Sequence, residues 1–161
     1  MYTYYIEKED KIVLYSSKKA NLEKALECMP QYVDLKINRT SKGIVEFEGK
    51  FYFEDDEEYL ALKRAKEEED LGNLHMTRGD VFEALILAKQ KTKADVRQLI
   101  ENYEGLTDLE KALYLNRFDE ALEFYRKYPA IDLIGAALEI SKEQMDNFFR
   151  TKDWHALVTE G

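Results

Sequence analysis

Tyr2-Thr3-Tyr4-Tyr5-Ile6-Glu7-Lys8-Glu9-Asp10-Lys11-Ile12-Val13-Leu14-Tyr15 opens the 161-residue chain and decides its class. Tyr2, Tyr4 and Ile6 fall on one parity and Tyr5 on the other. Glu7 to Asp10 is a polar turn, and Lys11 to Tyr15 is a second β-branched and aromatic run, so the stretch predicts a hairpin. A helix is expected to begin after Ser16-Ser17, with Ser17 as its N-cap and Leu22, Ala25, Leu26 and Met29 at helical spacing, and to stop before Pro30. Val33, Leu35 and Ile37 alternate with polar residues as a half-buried strand does. From Ile44 to Phe53 the apolar residues keep one parity but are broken at Gly49-Lys50, which fits either one bent strand or a tight hairpin. Residues 1–54 thus predict a ββαββ-like antiparallel sheet carrying one helix.

From Glu54 the chemistry changes. Asp55 or Asp56 caps a long acidic helix, assigned to 55–75, whose apolar stripe is Tyr59, Leu60, Leu62, Ala65 and Leu71. Glu67 to Asp70 sit on its late turns, where carboxylates oppose the helix dipole, so fraying is expected there. Residues 76–161 read as short helices. Thr77 caps one to about Gln90, Thr92 the next, and Thr107 with Glu110 forms a capping box before Leu109, Ala112 and Leu113. Asp119 to Tyr128 reads as amphipathic helix ending at Pro129. Ile131–Leu138 and Ser141–Phe149 follow, with Ser141 and Gln144 as another capping box and Trp154 as a C-terminal anchor. The fold class is therefore α+β: a small antiparallel sheet with one packed helix, a long acidic helix, and a cluster of short C-terminal helices.

Composition narrows the function. Hydrophobic residues make up 45% and charged residues 35%, with two prolines and seven glycines, as in an ordered, charge-rich chain. The formal charge is -9. Residues 1–54 hold nine basic and nine acidic side chains, so residues 55–161, with 15 basic and 24 acidic, carry all of it. Such a charge disfavours direct nucleic-acid binding. No apolar run approaches the roughly 20 residues that cross a bilayer, and the opening lacks the basic and apolar regions of a secretory signal. The expected place is the cytoplasm, where the single cysteine stays reduced.

Two helix pairs align when Thr92 is placed on Ser141. Asp95, Val96, Leu99 and Ile100 then fall on Gln144, Met145, Phe148 and Phe149, and Leu85 and Ala88 on Ile134 and Ala137. Such a repeat fits a duplicated helix-turn-helix, the motif of DNA-binding regulators, or two ordinary capped αα-hairpins. The second helices offer Lys93, Arg97, Lys142 and Arg150 against Asp95, Glu143 and Asp146, too little net positive charge for a phosphate reader. Capped hairpins are the better account.

No catalytic constellation is recognisable. His75 and His155 are isolated, and with one cysteine no zinc-ligand spacing arises. Cys28 sits near the C-terminal pole of its helix, the wrong end for an activated thiolate, and is expected to be a core or half-buried thiol. The glycines form no phosphate-cradling loop. The reading is a non-enzyme with no cofactor and no metal. The candidate partner-binding residues are the acidic series Glu54, Asp55, Asp56, Glu57, Glu58, Glu67, Glu68, Glu69 and Asp70, either a phosphate-mimicking surface or a solvated face with Lys63, Arg64 and Lys66 interspersed. Tyr2, Tyr4, Phe51 and Phe53 are expected in the sheet core.

Two stretches carry a family likeness. The opening from Tyr4 through Tyr15, with Leu26-Glu27-Cys28-Met29-Pro30-Gln31-Tyr32, and the ending from Ile131 through Phe149 resemble small uncharacterised proteins of prophages and bacteriophages of low-GC bacteria. The resemblance implies a setting among late structural genes and carries no functional residue across. It suggests a phage accessory or morphogenesis protein that binds a phage structural protein, inside the bacterial host cell or on the virion. Joined to the charge asymmetry, it also suggests an inhibitor of a host defence nuclease, of the anti-CRISPR kind.

Overall fold

The computed structural model describes residues 2–158. The chain is α+β and divides into two compact units, Met1–Lys66 and Glu67–Gly161. The division falls inside the acidic helix rather than at either of its ends.

In the first unit, β1 (Thr3–Lys8) and β2 (Lys11–Ser16) form a hairpin whose two turn residues, Glu9 and Asp10, both have positive φ. A two-residue turn of that hand matches the twist of the flanking strands. Helix α1 (Lys19–Cys28) follows, then a 3-10 turn at Pro30–Tyr32. The cap expected from Ser17 is absent. Ser16 Oγ instead accepts from Lys18 N and from Asn21 Nδ2, each at 3.2 Å. Strand β3 (Ile37–Thr40) begins four residues later than expected, because Pro30 starts the turn and leaves Val33 exposed. β4 (Ile44–Phe47) and β5 (Lys50–Phe53) are a hairpin, not one bent strand, with Glu48 and Gly49 at positive φ.

The five strands lie in the order β3-β1-β2-β5-β4, every neighbouring pair antiparallel. β3 and β4 are opposite edges, yet only Ser41, Lys42 and Gly43 join them. In a flat sheet those edges lie about 19 Å apart, while the link reaches about 15 Å at most. The sheet is therefore curled. Register places Tyr5, Ile12, Tyr15, Phe51 and Phe53 on one face and Tyr4, Ile6, Leu14 and Tyr52 on the other, with a bulge at Val13 resetting parity. Tyr5 and Phe53, two strands apart, meet edge to face at 5.2 Å, which the curl explains.

Helix α2 (Glu57–Asn73) begins at Asp56, whose carboxylate accepts from Glu58 N at 2.9 Å. Tyr59 packs on Phe47 and Tyr52. The rest of the expected stripe is not a core stripe, since every residue from 61 to 70 is exposed and α2 buries none. The helix continues through its acidic residues to Asn73. Its last carbonyls are taken by a later segment, Lys127 N bonding Gly72 O and Arg126 N bonding Leu74 O at 2.8 Å, with Lys127 Nζ on Asn73 Oδ1. A cation at the C-terminal pole offsets the opposing carboxylates.

The second unit pairs two short strands, β6 (His75–Thr77) and β7 (Glu123–Tyr125), antiparallel about Met76 and Phe124. After β6 come α3 (Arg78–Lys89), α4 (Lys93–Glu101) and α5 (Asp108–Glu120). After β7 come α6 (Pro129–Ala137), α7 (Lys142–Thr151) and a 3-10 turn at Trp154–Leu157. Thr77, Thr92, Thr107 and Ser141 all cap as expected, the last three in complete capping boxes. The expected helix over 119–128 is corrected to β7, because Ala121 is extended and Arg78 N bonds Leu122 O, prolonging the strand pair. Val96, Ile100, Phe148, Phe149 and Leu157 are buried at the centre, so Leu157 rather than Trp154 is the deepest C-terminal anchor.

Arg126 fastens this unit. Only 4% exposed, it bonds Asp146 of α7 at 2.6 Å and Asp132 of α6 at 2.7 Å. Asp146 is largely buried and Asp132 mostly exposed. Breaking a buried pair strands a charge and costs roughly 3–5 kcal/mol, whereas an exposed pair contributes about 1 kcal/mol or less. Asp146→Ala is therefore expected to lower unfolding free energy several times more than Asp132→Ala, as read by urea titration. Equal losses would contradict this division of labour.

A second expectation concerns Gly49, which sits at φ 77 with open space around its missing Cβ. Gly49→Val should cost about 1–2 kcal/mol through backbone strain alone, and Gly49→Asn much less. Thermal unfolding of the two variants distinguishes them.

Candidate functional site

The acidic series does not converge on one site. Glu54 turns back onto the β3–β4 link, accepting from Gly43 N at 3.2 Å. Asp55 is ion-paired with Lys42 at 2.7 Å, and the ammonium's hydrogen bond holds its carboxyl below the usual value. Asp56 is occupied as the cap of α2, and Glu57 and Glu58 lie in the first turn, where the helix dipole favours them. Glu67, Glu68, Glu69 and Asp70 are exposed, fall in the other unit, and follow Lys63, Arg64 and Lys66. Glu69 and Asp70 are themselves engaged in contacts. Five of the nine candidates thus have work in shaping the first unit.

The repeated helix pair is real as architecture. Gln90 and Glu139 are both left-handed, each ending the first helix of a pair, and the capping boxes follow two residues later. On α4 the cations that a DNA reader needs are taken. Arg97 bonds Glu101 at 3.0 Å and also pairs with Asp119, which Lys93 approaches at 3.5 Å. On α7, Asp146 is committed to Arg126, and Glu143 stands beside Lys142. Helix α4 therefore presents no unopposed basic face, and α7 carries only Lys142 and Arg150 beside Glu143 and Asp146.

His75 and His155 are exposed and separately engaged, the first against Tyr125 and the second with Asp153 at 2.7 Å and Trp154. Cys28 is exposed, not core, because α1 buries only Leu22. Tyr2 is also mostly exposed, with the Arg39 guanidinium 4.1 Å over its ring, while Phe51 and Phe53 are half-buried. Among the described residues no group of three or more His, Cys, Asp and Glu converges as a metal site, and no helix is long and apolar enough to cross a membrane.

Comparison adds no relative. No family model, no curated protein and no solved structure matches the chain.

Two surfaces that sequence reasoning did not single out remain. The first is the outer face of α5. Tyr114, Leu115 and Phe118 pack into the core, while Leu109 and Leu113, one turn apart, are 70% and 60% exposed, with Ala112 exposed beside them. Leu122, just past the helix, is 82% exposed. Helix α5 is apolar on both sides, and the capping box at Thr107 fixes only where it starts. The second surface is a crevice of about 650 Å³ in the first unit, lined by residues of the β1–β2 hairpin, of β5 and of the start of α2.

Electrostatics of the second unit give a pH expectation. Asp119 is held below the ordinary carboxylate value by Arg97, Asp95 by the Thr92 hydroxyl, Glu110 by the Thr107 backbone N–H, and Asp153 by the His155 backbone N–H. Each folded-state value lies under its unfolded one, so the stabilisation is complete above an unfolded aspartate value of about 3.9. It is lost as pH falls through the lowered values, since the unfolded chain then takes up protons first. The melting temperature should drop below about pH 4, and Asp119→Asn should flatten part of that drop. An unchanged profile would mean the Arg97–Asp119 pair contributes nothing.

Proposed function

We propose that this chain is a non-enzymatic accessory protein that acts by docking onto another protein through the outer face of α5. The observation that carries the reading is the pair Leu109 and Leu113, two leucines a turn apart on a capped helix that already buries a different face. Single exposed leucines are ordinary, but neighbouring ones on a rigid helix mark contact surfaces. A helix face read at i and i+4 positions is a recurrent mode of protein recognition. The acidic surroundings, 20 carboxylates against 12 basic residues over 67–161, discourage polyanions as the partner.

The resemblance of both chain ends to small prophage and bacteriophage proteins points the partner search to late structural proteins, of tail or morphogenesis type. The protein would then work inside the bacterial host cell or ride on the virion. A second reading, inhibition of a host defence nuclease, draws support from the exposed Glu67 and Glu68 on α2. It is the weaker one, because Lys63, Arg64 and Lys66 dilute the negative face a nucleic-acid mimic needs.

Co-expression with phage structural proteins followed by size-exclusion chromatography tests the first reading. The wild-type chain is expected to co-elute with one of them, and Leu109→Glu/Leu113→Glu to lose that partner while keeping its own far-ultraviolet circular dichroism. Retained co-elution would remove α5 from the account. Loss on Glu67→Lys/Glu68→Lys instead, with a basic nuclease as the captured partner, would transfer the function to the acidic helix.

A further inference from the structure

Given α5 as the docking face, we propose that what it binds is a basic amphipathic helix of another protein. Such a helix lays an apolar pair on Leu109 and Leu113 and sets a lysine or arginine against Glu120. That chemistry rests on the docking role of α5 and names the side chains its partner must carry.

The face is a stripe. At 3.6 residues per turn, Leu109, Leu113, Asn116 and Glu120 fall on the side of α5 opposite Tyr114, Leu115 and Phe118, which enter the core. All four are exposed, the leucines at its start and the carboxylate at its end. From Leu109 to Glu120 the stripe runs three turns, roughly 16 Å. That length suits a second helix lying along the first, with side chains three and four apart interlocking.

Charge on this face is one-sided. Asp108 and Glu110 are exposed on either side of the leucines, and both serve the helix itself. Asp108 stands in the first turn, where the dipole favours it, and Glu110 closes the capping box with Thr107. Glu120 has no such duty. It ends the helix at the pole that favours cations, and no cation among the described residues pairs with it. Of the two cations on α5, Arg117 lies over the Tyr128 ring at 5.1 Å and Lys111 is half-buried. A carboxylate that opposes its own helix, in line with two exposed leucines, is complementary to a cation brought from outside. That cation would also meet the last carbonyls of α5, which carry the negative end of the dipole. With 20 carboxylates against 12 basic residues over 67–161, the field around the stripe steers basic segments toward it.

A second copy of this chain does not complement the stripe. Laid antiparallel, it brings Glu120 of one helix over Leu109 of the other, and laid parallel it sets Glu120 against Glu120. The fitting helix instead carries its cation two turns from its apolar pair, about 10 Å away, as Glu120 lies from Leu113.

The test uses the full chain and fluorescein-labelled octadecapeptides read by fluorescence anisotropy. A helical peptide with leucines one turn apart and lysines two turns beyond is expected to bind, more weakly as salt rises. The same composition with its leucines scattered around the helix, and the striped peptide with glutamate for lysine, are expected not to bind. Leu109→Glu/Leu113→Glu should abolish binding. Glu120→Lys should weaken the lysine peptide about fivefold and let the glutamate peptide bind, while its melting temperature holds or rises because a cation suits that pole. Glu143→Lys makes the same charge change on α7 and should leave both peptides unaffected. Equal binding of the lysine and glutamate peptides, equal binding of the scattered peptide, equal effects of Glu120→Lys and Glu143→Lys, or no binding of the lysine peptide would each overturn the proposal. A phage structural protein released by Leu109→Glu/Leu113→Glu yet held at full strength by Glu120→Lys would keep α5 as the docking face and overturn its basic partner.

Discussion

Arg126 is where the second unit is tied together. Its backbone N–H meets the carbonyl of Leu74 at the foot of β6, and its side chain reaches Asp132 on α6 and Asp146 on α7. One residue at the end of a three-residue strand thus holds an earlier strand and two later helices in register. A guanidinium suits the task because its planar fork gives several donors at fixed angles, which an ammonium group does not. Its burial makes the arrangement selective as well as cohesive. An alternative packing that separates Arg126 from Asp146 would leave a desolvated charge unpaired, so competing arrangements of α6 and α7 are disfavoured.

Around that tie, the second unit is built twice. A short strand, a helix, a left-handed residue and a capped helix recur with an offset of 49 residues in the helical part, Gln90 matching Glu139 and Thr92 matching Ser141. The two strands that open the copies pair antiparallel about Met76 and Phe124. The copies have diverged in chemistry while keeping the packing. Val96 and Ile100 lie where Met145 and Phe149 lie, all four buried. In the first copy Lys93 and Arg97 are answered by Asp119 and Glu101, and the most exposed helical leucines belong to α5, the helix inserted between the copies. Repetition here serves assembly of a core, and the three most exposed leucines of the second unit, Leu109, Leu113 and Leu122, lie outside the repeated part, though Ile86 and Leu87 within it are exposed as well.

Much of this was legible because it is local. Thr92, Thr107 and Ser141 each act on residues three positions away, so their capping boxes can be read from the sequence, and the helices start where those residues say. The α+β class follows from alternation at Tyr2 to Tyr15 against helical spacing after Glu57. What escaped is non-local. Phe118, Ala121, Leu122, Phe124, Tyr125 and Tyr128 suit a helical face, yet β7 forms because β6, nearly 50 residues earlier, supplies its ladder. What holds the acidic end of α2 is not local either, since Arg126 and Lys127, which bond Leu74 and Gly72, lie more than 50 residues downstream. For α5, spacing identified Leu109, Ala112 and Leu113 as a stripe but not that Tyr114, Leu115 and Phe118 would take the inward side. The acidic series stands out by density, and density does not distinguish a cap such as Asp56 from a surface carboxylate. The crevice gathers residues of the β1–β2 hairpin, β5 and α2, which no local pattern brings together.

The three-residue link Ser41 to Gly43 has an effect on how copies of this chain behave toward one another. Because β3 and β4 run consecutively and serve as the two outer strands, the curled sheet offers only two four-residue borders, both drawn in by the same short tether. Fibril growth requires long, flat, parallel-lying borders that can stack without end. A sheet that bends its own margins toward each other lacks that template, so association of copies through these strands is disfavoured.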